Sequence, residues 1–384
     1  GDAKIDQNTF LLEPVSAENL VNNRNSRNFW CNVKGIGSWS LTGHSAEELS
    51  KKFTEMQDDS EVTAGFMWQK TTRESKKYQL RGEILSFIPV DKNVEIMLVT
   101  ITNTGRMAQT VTPTAAIPLY GRSADNIRDH RHVTSLLHRI ETTDTGVLVT
   151  PTLSFDERGH QVNHMTYYCV GWSGNGEKPV DFYPTAEDFV GEGGNFERPY
   201  AIVKNAEGVK AGTKIEGLEA VGGLHFSEIT LEPEEECSYL IFTGITEDIQ
   251  EIRNLSKTYT TREKVLEELE KTKAYWQEKV NVAYHTGDSD FNQFMHWVSF
   301  QPILRRIYGC SFLPHHDYGK GGRGWRDLWQ DCLALLIMNP DGVRQMLLDN
   351  FAGVRIDGSN ATIIGSKQGE FVADRNNITR VWMD

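Results

Sequence analysis

The sequence predicts a β plus α protein: a large antiparallel β-sandwich, followed by a helical linker and then by further helices. Three observations carry this. Short runs rich in β-branched and aromatic residues recur up to about residue 250, each closed by Gly, Asn, Asp or Pro. Segment 261–280 is charged, has a helical period and contains neither Pro nor Gly. Beyond it, apolar residues recur at helical spacing between loops rich in Gly and polar residues.

Among the strand-like runs, residues 94–102 (VEIMLVTIT) lead into the turn Asn103-Thr104-Gly105 and have the character of a central strand. Segments 110–117, 146–150, 166–172, 225–231 and 239–243 follow the same pattern. Many short strands with polar connections suggest two packed sheets. Two segments interrupt them. Residues 45–56 open on Ser45 and continue Ala46-Glu47-Glu48-Leu49, which predicts a short capped helix. Residues 184–195, with Gly191-Glu192-Gly193-Gly194, predict a loop.

In 261–280, Val265, Leu269, Trp276 and Val280 fall on one stripe, as in an amphipathic helix between a β-domain and a helical region. Residues 291–308, 327–338 and 340–351 predict three more helices, the last with Pro340 in its first turn. The expected organisation is a sandwich at 1–250, a linker at 251–284 and a helical region at 285–384.

Composition narrows the function. The 384 residues suffice for two domains with full cores. A net charge of −13, with no broad basic stripe, argues against nucleic acid as a partner. It leaves room for a small phosphate, which needs only two or three well-placed donors. No apolar run approaches the ~20 residues that span a bilayer, so no membrane partner is expected. The five cysteines, Cys31, Cys169, Cys237, Cys310 and Cys332, are odd in number and form no C-x-x-C pair. That fits a reducing, cytoplasmic setting better than a disulfide framework or a zinc site.

The chemistry-bearing stretch runs from Pro314 to Asp331. A Gly-rich approach leads to Arg323-Gly324-Trp325-Arg326-Asp327-Leu328-Trp329-Gln330-Asp331. Asp327 and Asp331 lie four apart and so share a helix face; Arg326 and Gln330 share the adjacent one. Carboxylates accept and Arg donates in a fork, so such a helix start can hold several sugar hydroxyls at once. The same acids also suit a helix start that merely complements its own dipole. His315-His316-Asp317 lacks the spacing of a metal set and reads as a loop contact. Arg128-Asp129-His130-Arg131-His132 reads as a solvated loop, or as one reaching toward an active site across a dimer.

Three stretches, DFNQFMHWVSFQPILRRIYG, GGRGWRDLWQDCLAL and TRVWMD, together resemble the inverting β-glucoside phosphorylases of glycoside hydrolase family 94, which include cellobiose phosphorylase. RNFWCNVKGIGSWSLTG adds a resemblance to the 1,2-β-oligoglucan phosphorylases. This implies a β-sandwich, a helical linker and the first helices of an (α/α)6 barrel. It implies phosphorolysis of a β-glucoside to α-glucose 1-phosphate, with β-glucan oligosaccharide and inorganic phosphate as partners and no other cofactor. One carboxylic acid protonates the leaving oxygen while phosphate attacks the anomeric carbon from the opposite face.

Residue by residue, the R-D-x-x-Q-D match places Arg326, Asp327, Gln330 and Asp331 at the non-reducing glucose, with Arg323 on sugar or phosphate. The Asp after TRVWM, Asp384, corresponds to the general acid. A twelve-helix barrel against the three helices read here implies one part of a longer enzyme, inactive by itself. The uncovered helix faces should then meet a C-terminal remainder or a second copy. A glycan-binding module, or a hydrolase or glycosyltransferase on the same scaffold, are the competing readings.

Overall fold

The computed structural model describes residues 9–10, 27–123, 135–156, 159–308, 323–359, 363–364 and 371–372. It divides into two compact units, Gly1–Lys273 and Ala274–Asp384.

The first unit is built on two antiparallel sheets. The larger has nine strands, in the order Lys214–Glu216, Arg139–Thr142, Gly146–Val149, Thr166–Ser173, Glu236–Thr246, Val94–Asn103, Leu80–Phe87, Trp68–Ser75, Asp59–Gly65. The smaller runs Asp181–Thr185, Ala220–His225, Gln109–Leu119, Asn28–Val33, Gly37–Ser40, with Ile229–Leu231 also paired to Gln109–Leu119. Strand alternation assigns each side chain to a layer. Val99, Ile101, Tyr167, Cys169, Tyr239 and Ile241 of the larger sheet join Phe29, Cys31, Val111, Ile117 and Leu224 of the smaller in the central core. Their neighbours Leu98, Tyr168, Val170, Leu240 and Phe242 form a second core with Ile252, Leu255, Tyr259, Val265 and Leu269. Trp30, Ala116, Tyr183 and Val221, on the outer side of the smaller sheet, pack with Ala186, Phe189, Ala201 and Ile202. Helical residues therefore cover the outer faces of the central strands in both sheets, which explains why Thr166–Ser173 is buried at every position.

Gly222 of the smaller sheet lies directly against Cys169 of the larger. A Cβ there would stand 2.3 Å from Cys169 Cβ. Gly222→Ala is expected to overpack this contact and destabilise the fold by ~1–3 kcal/mol. A lower urea midpoint at unchanged slope would show it.

Several segments differ from the sequence expectation. Ser45 caps its helix, accepting from the Glu48 N–H at 3.2 Å, but the helix is only Ala46–Ser50. Phe53, expected to extend it, has φ +67 and is 91% exposed, so no core contact continues the helix. Part of the loop expected at 184–195 is the helix Ala186–Val190, capped by Thr185 and anchored by buried Phe189. The strand expected at 225–231 is broken: three residues, Phe226 to Glu228, stand opposite two, Thr112 and Pro113. Proline has no N–H to give the ladder there.

An additional helix, Ile249–Thr258, capped by Asp248, precedes the linker helix Arg262–Lys279. In the second unit the expected helices are Ser289–Tyr308, Trp325–Met338 and Val343–Phe351. Pro340 does not open the last of them, because Gly342, at φ +75, lies outside helical geometry. No helix of the described residues is long and apolar enough to cross a membrane.

A charged clasp ties the helix Ala46–Ser50 to the sandwich. Glu47 meets Lys51 at 2.9 Å, Lys77 at 2.8 Å and the Tyr78 hydroxyl at 2.8 Å. Partial burial pushes the Glu47 carboxyl up, but the hydrogen bonds from Lys77, Lys51 and Tyr78 outweigh it and hold it at about 2, below its ordinary 4.5. A carboxylate so depressed stabilises the fold fully above pH 4.5 and loses that contribution as pH falls toward 2. Discounted for exposure, the contribution is ~1 kcal/mol. Glu47→Gln is expected to lower thermal stability at pH 7 and to change it little near pH 2, measured by melting across that range.

Candidate functional site

The sequence-predicted cluster lies in the second unit. A two-residue strand, Arg323–Gly324, pairs antiparallel with Ile363–Ile364, which pairs in turn with Phe371–Val372. The helix Trp325–Met338 follows at once. Arg323 thus sits in a strand, Arg326 and Asp327 in the first helical turn, and Gln330 and Asp331 in the next. The first turn of a helix leaves its N–H groups without intrahelical partners and carries the positive end of the helix dipole.

Of the side chains from Arg323 to Asp331, the structure describes those of Trp329 and Gln330. Gln330 is exposed. Trp329 meets Phe351 edge to face, with ring centroids 4.7 Å apart. Farther along, Cys332, Leu335 and Met338 are buried at a spacing of three, which sets the inner stripe of the helix. Helices Ser289–Tyr308 and Val343–Phe351 pack against it. Its C-terminal end is tied down: Asn281 Nδ2 donates to the Met338 carbonyl at 3.1 Å, and Arg306 Nη1 to the Asn339 carbonyl at 3.2 Å. Leu333, Leu336 and Ile337 remain exposed.

Asp384 lies outside the described residues, as do His315, His316 and Asp317 and the cluster at 128–132. Among the described residues no group of three or more His, Cys, Asp or Glu is placed to hold a metal ion. Cys31, Cys169, Cys237 and Cys332 are not joined in disulfides.

The sandwich unit holds two polar features that sequence reasoning did not find. Asp181 and His225 are paired across adjacent strands, with Oδ1 to Nδ1 at 2.6 Å, and both are buried. They lie 44 residues apart, so no local pattern joins them. A cleft of about 370 Å³ is rimmed by Glu177, Glu228, Glu235 and Glu236, with Phe226, Cys237 and Tyr239 in its wall. Burial pushes the Cys237 thiol up to about 12. It therefore stays protonated at neutral pH and is a poor nucleophile.

The family described as glycosyl hydrolase 94, supersandwich domain, matches residues 13–262, about two thirds of the chain. The chain belongs to glycosyl hydrolase family 94. The matched range is the two-sheet unit with its additional helix and the first residue of the linker helix, and this family places the chain among carbohydrate-active enzymes. A similar curated protein is the cyclic β-(1,2)-glucan synthase NdvB of Rhizobium meliloti (strain 1021), 26% identical over 194 residues. That match takes in 50% of the family 94 chain and 6% of NdvB, so the chain spans a small part of its relative's length. Among solved structures, a bacterial glucoamylase complexed with acarbose aligns with a TM-score of 0.48 at 11% identity, over 88% of this chain and 45% of that one. A GH36 α-galactosidase, AgaA of Geobacillus stearothermophilus, in complex with stachyose, aligns at 0.24 and 11%, over 62% and 32%.

Proposed function

We propose that this family 94 chain is part of an enzyme that cleaves β-1,2-linked gluco-oligosaccharides by inverting phosphorolysis, releasing α-glucose 1-phosphate. The observation that carries the reading is the placement of Arg326-Asp327-x-x-Gln330-Asp331 on the opening two turns of a helix entered directly from a strand. Four polar residues on two successive turns can meet the several hydroxyls of one glucose ring. The linkage is supported by NdvB, whose name specifies a β-(1,2)-glucan.

In this reading, Asp327 and Asp331 accept from glucose hydroxyls, Arg326 donates in a fork and Gln330 does both. Arg323 serves sugar or phosphate, and Asp384 gives its proton to the departing glycosidic oxygen. Phosphate arrives already anionic and attacks the anomeric carbon from the opposite face. A second carboxylate to activate water is therefore unnecessary. The helices of the second unit are the opening of an (α/α)6 barrel.

The test is to incubate a polypeptide carrying this chain and a complete barrel with β-1,2-gluco-oligosaccharide, with and without phosphate. α-Glucose 1-phosphate formed only when phosphate is present is the expected result. Free glucose released without phosphate would overturn phosphorolysis in favour of hydrolysis. Glycan retention without turnover would favour a binding module.

A further inference from the structure

Two kinds of contact hold the helix Trp325–Met338. Its buried stripe, Cys332, Leu335 and Met338, fixes which face turns inward. Apolar packing has no direction along the helix axis, so by itself it permits small slides. The directional contacts sit at the C-terminal end. Asn281 Nδ2 donates to the Met338 carbonyl at 3.1 Å. Arg306, in the helix Ser289–Tyr308, donates from Nη1 to the Asn339 carbonyl at 3.2 Å and from Nη2 to the Asp341 carbonyl. Two nitrogens of one planar guanidinium thus grip two backbone carbonyls, a geometry that Lys, a single point charge, does not reproduce.

Gly342 completes the seat. Its φ is +75, and a Cβ there would stand 2.9 Å from Arg306 Nη2. Bare backbone at this point lets the guanidinium reach both carbonyls. The cation also faces the negative end of the helix dipole.

We propose that Arg306 is a positioning residue for the glucose subsite. It acts from the far end of the helix: its fork fixes the axial position of Asn339 and Asp341, and the helix carries that position to Arg326, Asp327, Gln330 and Asp331. A helix is stiff, so a shift at Asn339 reaches Arg326, about 20 Å away at about 1.5 Å of rise per residue, undiminished. Misplacing a binding group by ~1 Å can cost about 10²-fold in rate. The glucose subsite is that of the proposed function, so the kinetic part of this role rests on that reading, whereas the fixing of the helix does not.

Two variants break the grip in different ways. Arg306→Met removes both donors and keeps the stem. Gly342→Ala leaves Arg306 in place and pushes its guanidinium aside. Hydrogen exchange read by mass spectrometry on the intact chain follows the helix without any need for activity. In both variants the amides of residues 329–334 are expected to exchange about tenfold faster, with the sandwich unit unchanged. In a polypeptide carrying this chain and a complete barrel, the reverse reaction reads the subsite. There the anomeric bond to phosphate breaks, the bond to an acceptor hydroxyl forms, and the acceptor's proton passes to the Asp384 carboxylate. The KM for α-glucose 1-phosphate is expected to rise about tenfold, while the KM for the acceptor gluco-oligosaccharide stays as it was. Arg306→Lys keeps the cation without the fork and is expected to recover only a small share of the loss. Unchanged exchange at 329–334 in both variants overturns the positioning role. So does a fall in kcat with both KM values unchanged, the mark of lost stability alone. Full recovery in Arg306→Lys overturns it too, because charge at the helix end would then suffice. An unaltered polypeptide that neither makes nor consumes α-glucose 1-phosphate overturns the proposed function and the kinetic part with it, and the exchange result separates that failure from failure of the helix grip.

Discussion

Trp172→Ala is expected to lower the stability of the sandwich unit by ~3–5 kcal/mol, one of the largest losses available to a single substitution in this fold. Trp172 is 3% exposed and stacks on Phe242 with ring centroids 4.6 Å apart. Phe242 in turn stacks on Tyr259, which closes the helix Ile249–Thr258 by donating its N–H to the Leu255 carbonyl. The indole Nε1 of Trp172 donates to the Tyr259 carbonyl at 3.0 Å. One side chain thus fills the layer between the nine-stranded sheet and its covering helices, and also hydrogen-bonds the helix end. Truncation opens a cavity and leaves a buried carbonyl unpaired. Trp172→Phe keeps most of the volume and loses mainly the hydrogen bond, so ~1 kcal/mol is expected. Urea unfolding followed by circular dichroism measures both. Equal losses for the two variants would show that the hydrogen bond, rather than the packing, dominates.

Asp384→Asn is expected to slow phosphorolysis by roughly 10²–10⁴-fold in an active polypeptide, the usual scale of a lost general acid. This rests on the proposed function and on the role that the family resemblance implies for Asp384. The amide keeps the size of the side chain and removes its transferable proton. The defect should therefore depend on the leaving group. A β-glucoside whose aglycone departs as a stable phenolate needs no protonation, and its turnover should fall far less than that of a gluco-oligosaccharide. Phosphorolysis rates on the two substrates measure this. An equal fall on both would remove Asp384 from the proton-transfer role and leave it, at most, holding substrate.

Much of the architecture was legible in the sequence because it is written in local patterns. The run 94–102 reads as a central strand and lies in one, Val94–Asn103. Val265, Leu269, Trp276 and Val280 recur at helical spacing, and all four are buried. The misreadings have physical causes. Thr185 and Gly191 bound a helix of only five residues, too short to show a period, so the Gly-rich end dominated the reading. Residues 225–231 look like one strand, and only the partner strand, with Pro113 in its ladder, reveals the break. Pro340 suits a first helical turn, but the backbone of Gly342 two residues later does not. Of the candidate site, the sequence showed that Arg326, Asp327, Gln330 and Asp331 would occupy successive turns of a helix, because a spacing of four is a local property.

The sequence by itself determined the class of each element and the order in which chemistry-bearing residues follow one another on a helix. Periodicity, caps and turn residues act over a few positions and can be read without a fold. Only the tertiary structure decided which strands are neighbours, why Thr166–Ser173 is buried throughout, where Gly222 must remain bare beside Cys169, and that Asp181 meets His225. It also left the edge of Asp59–Gly65 unpaired among the described residues. Each of these depends on groups brought together from distant parts of the chain, and the free energy of such a contact leaves no trace in the residues beside either partner.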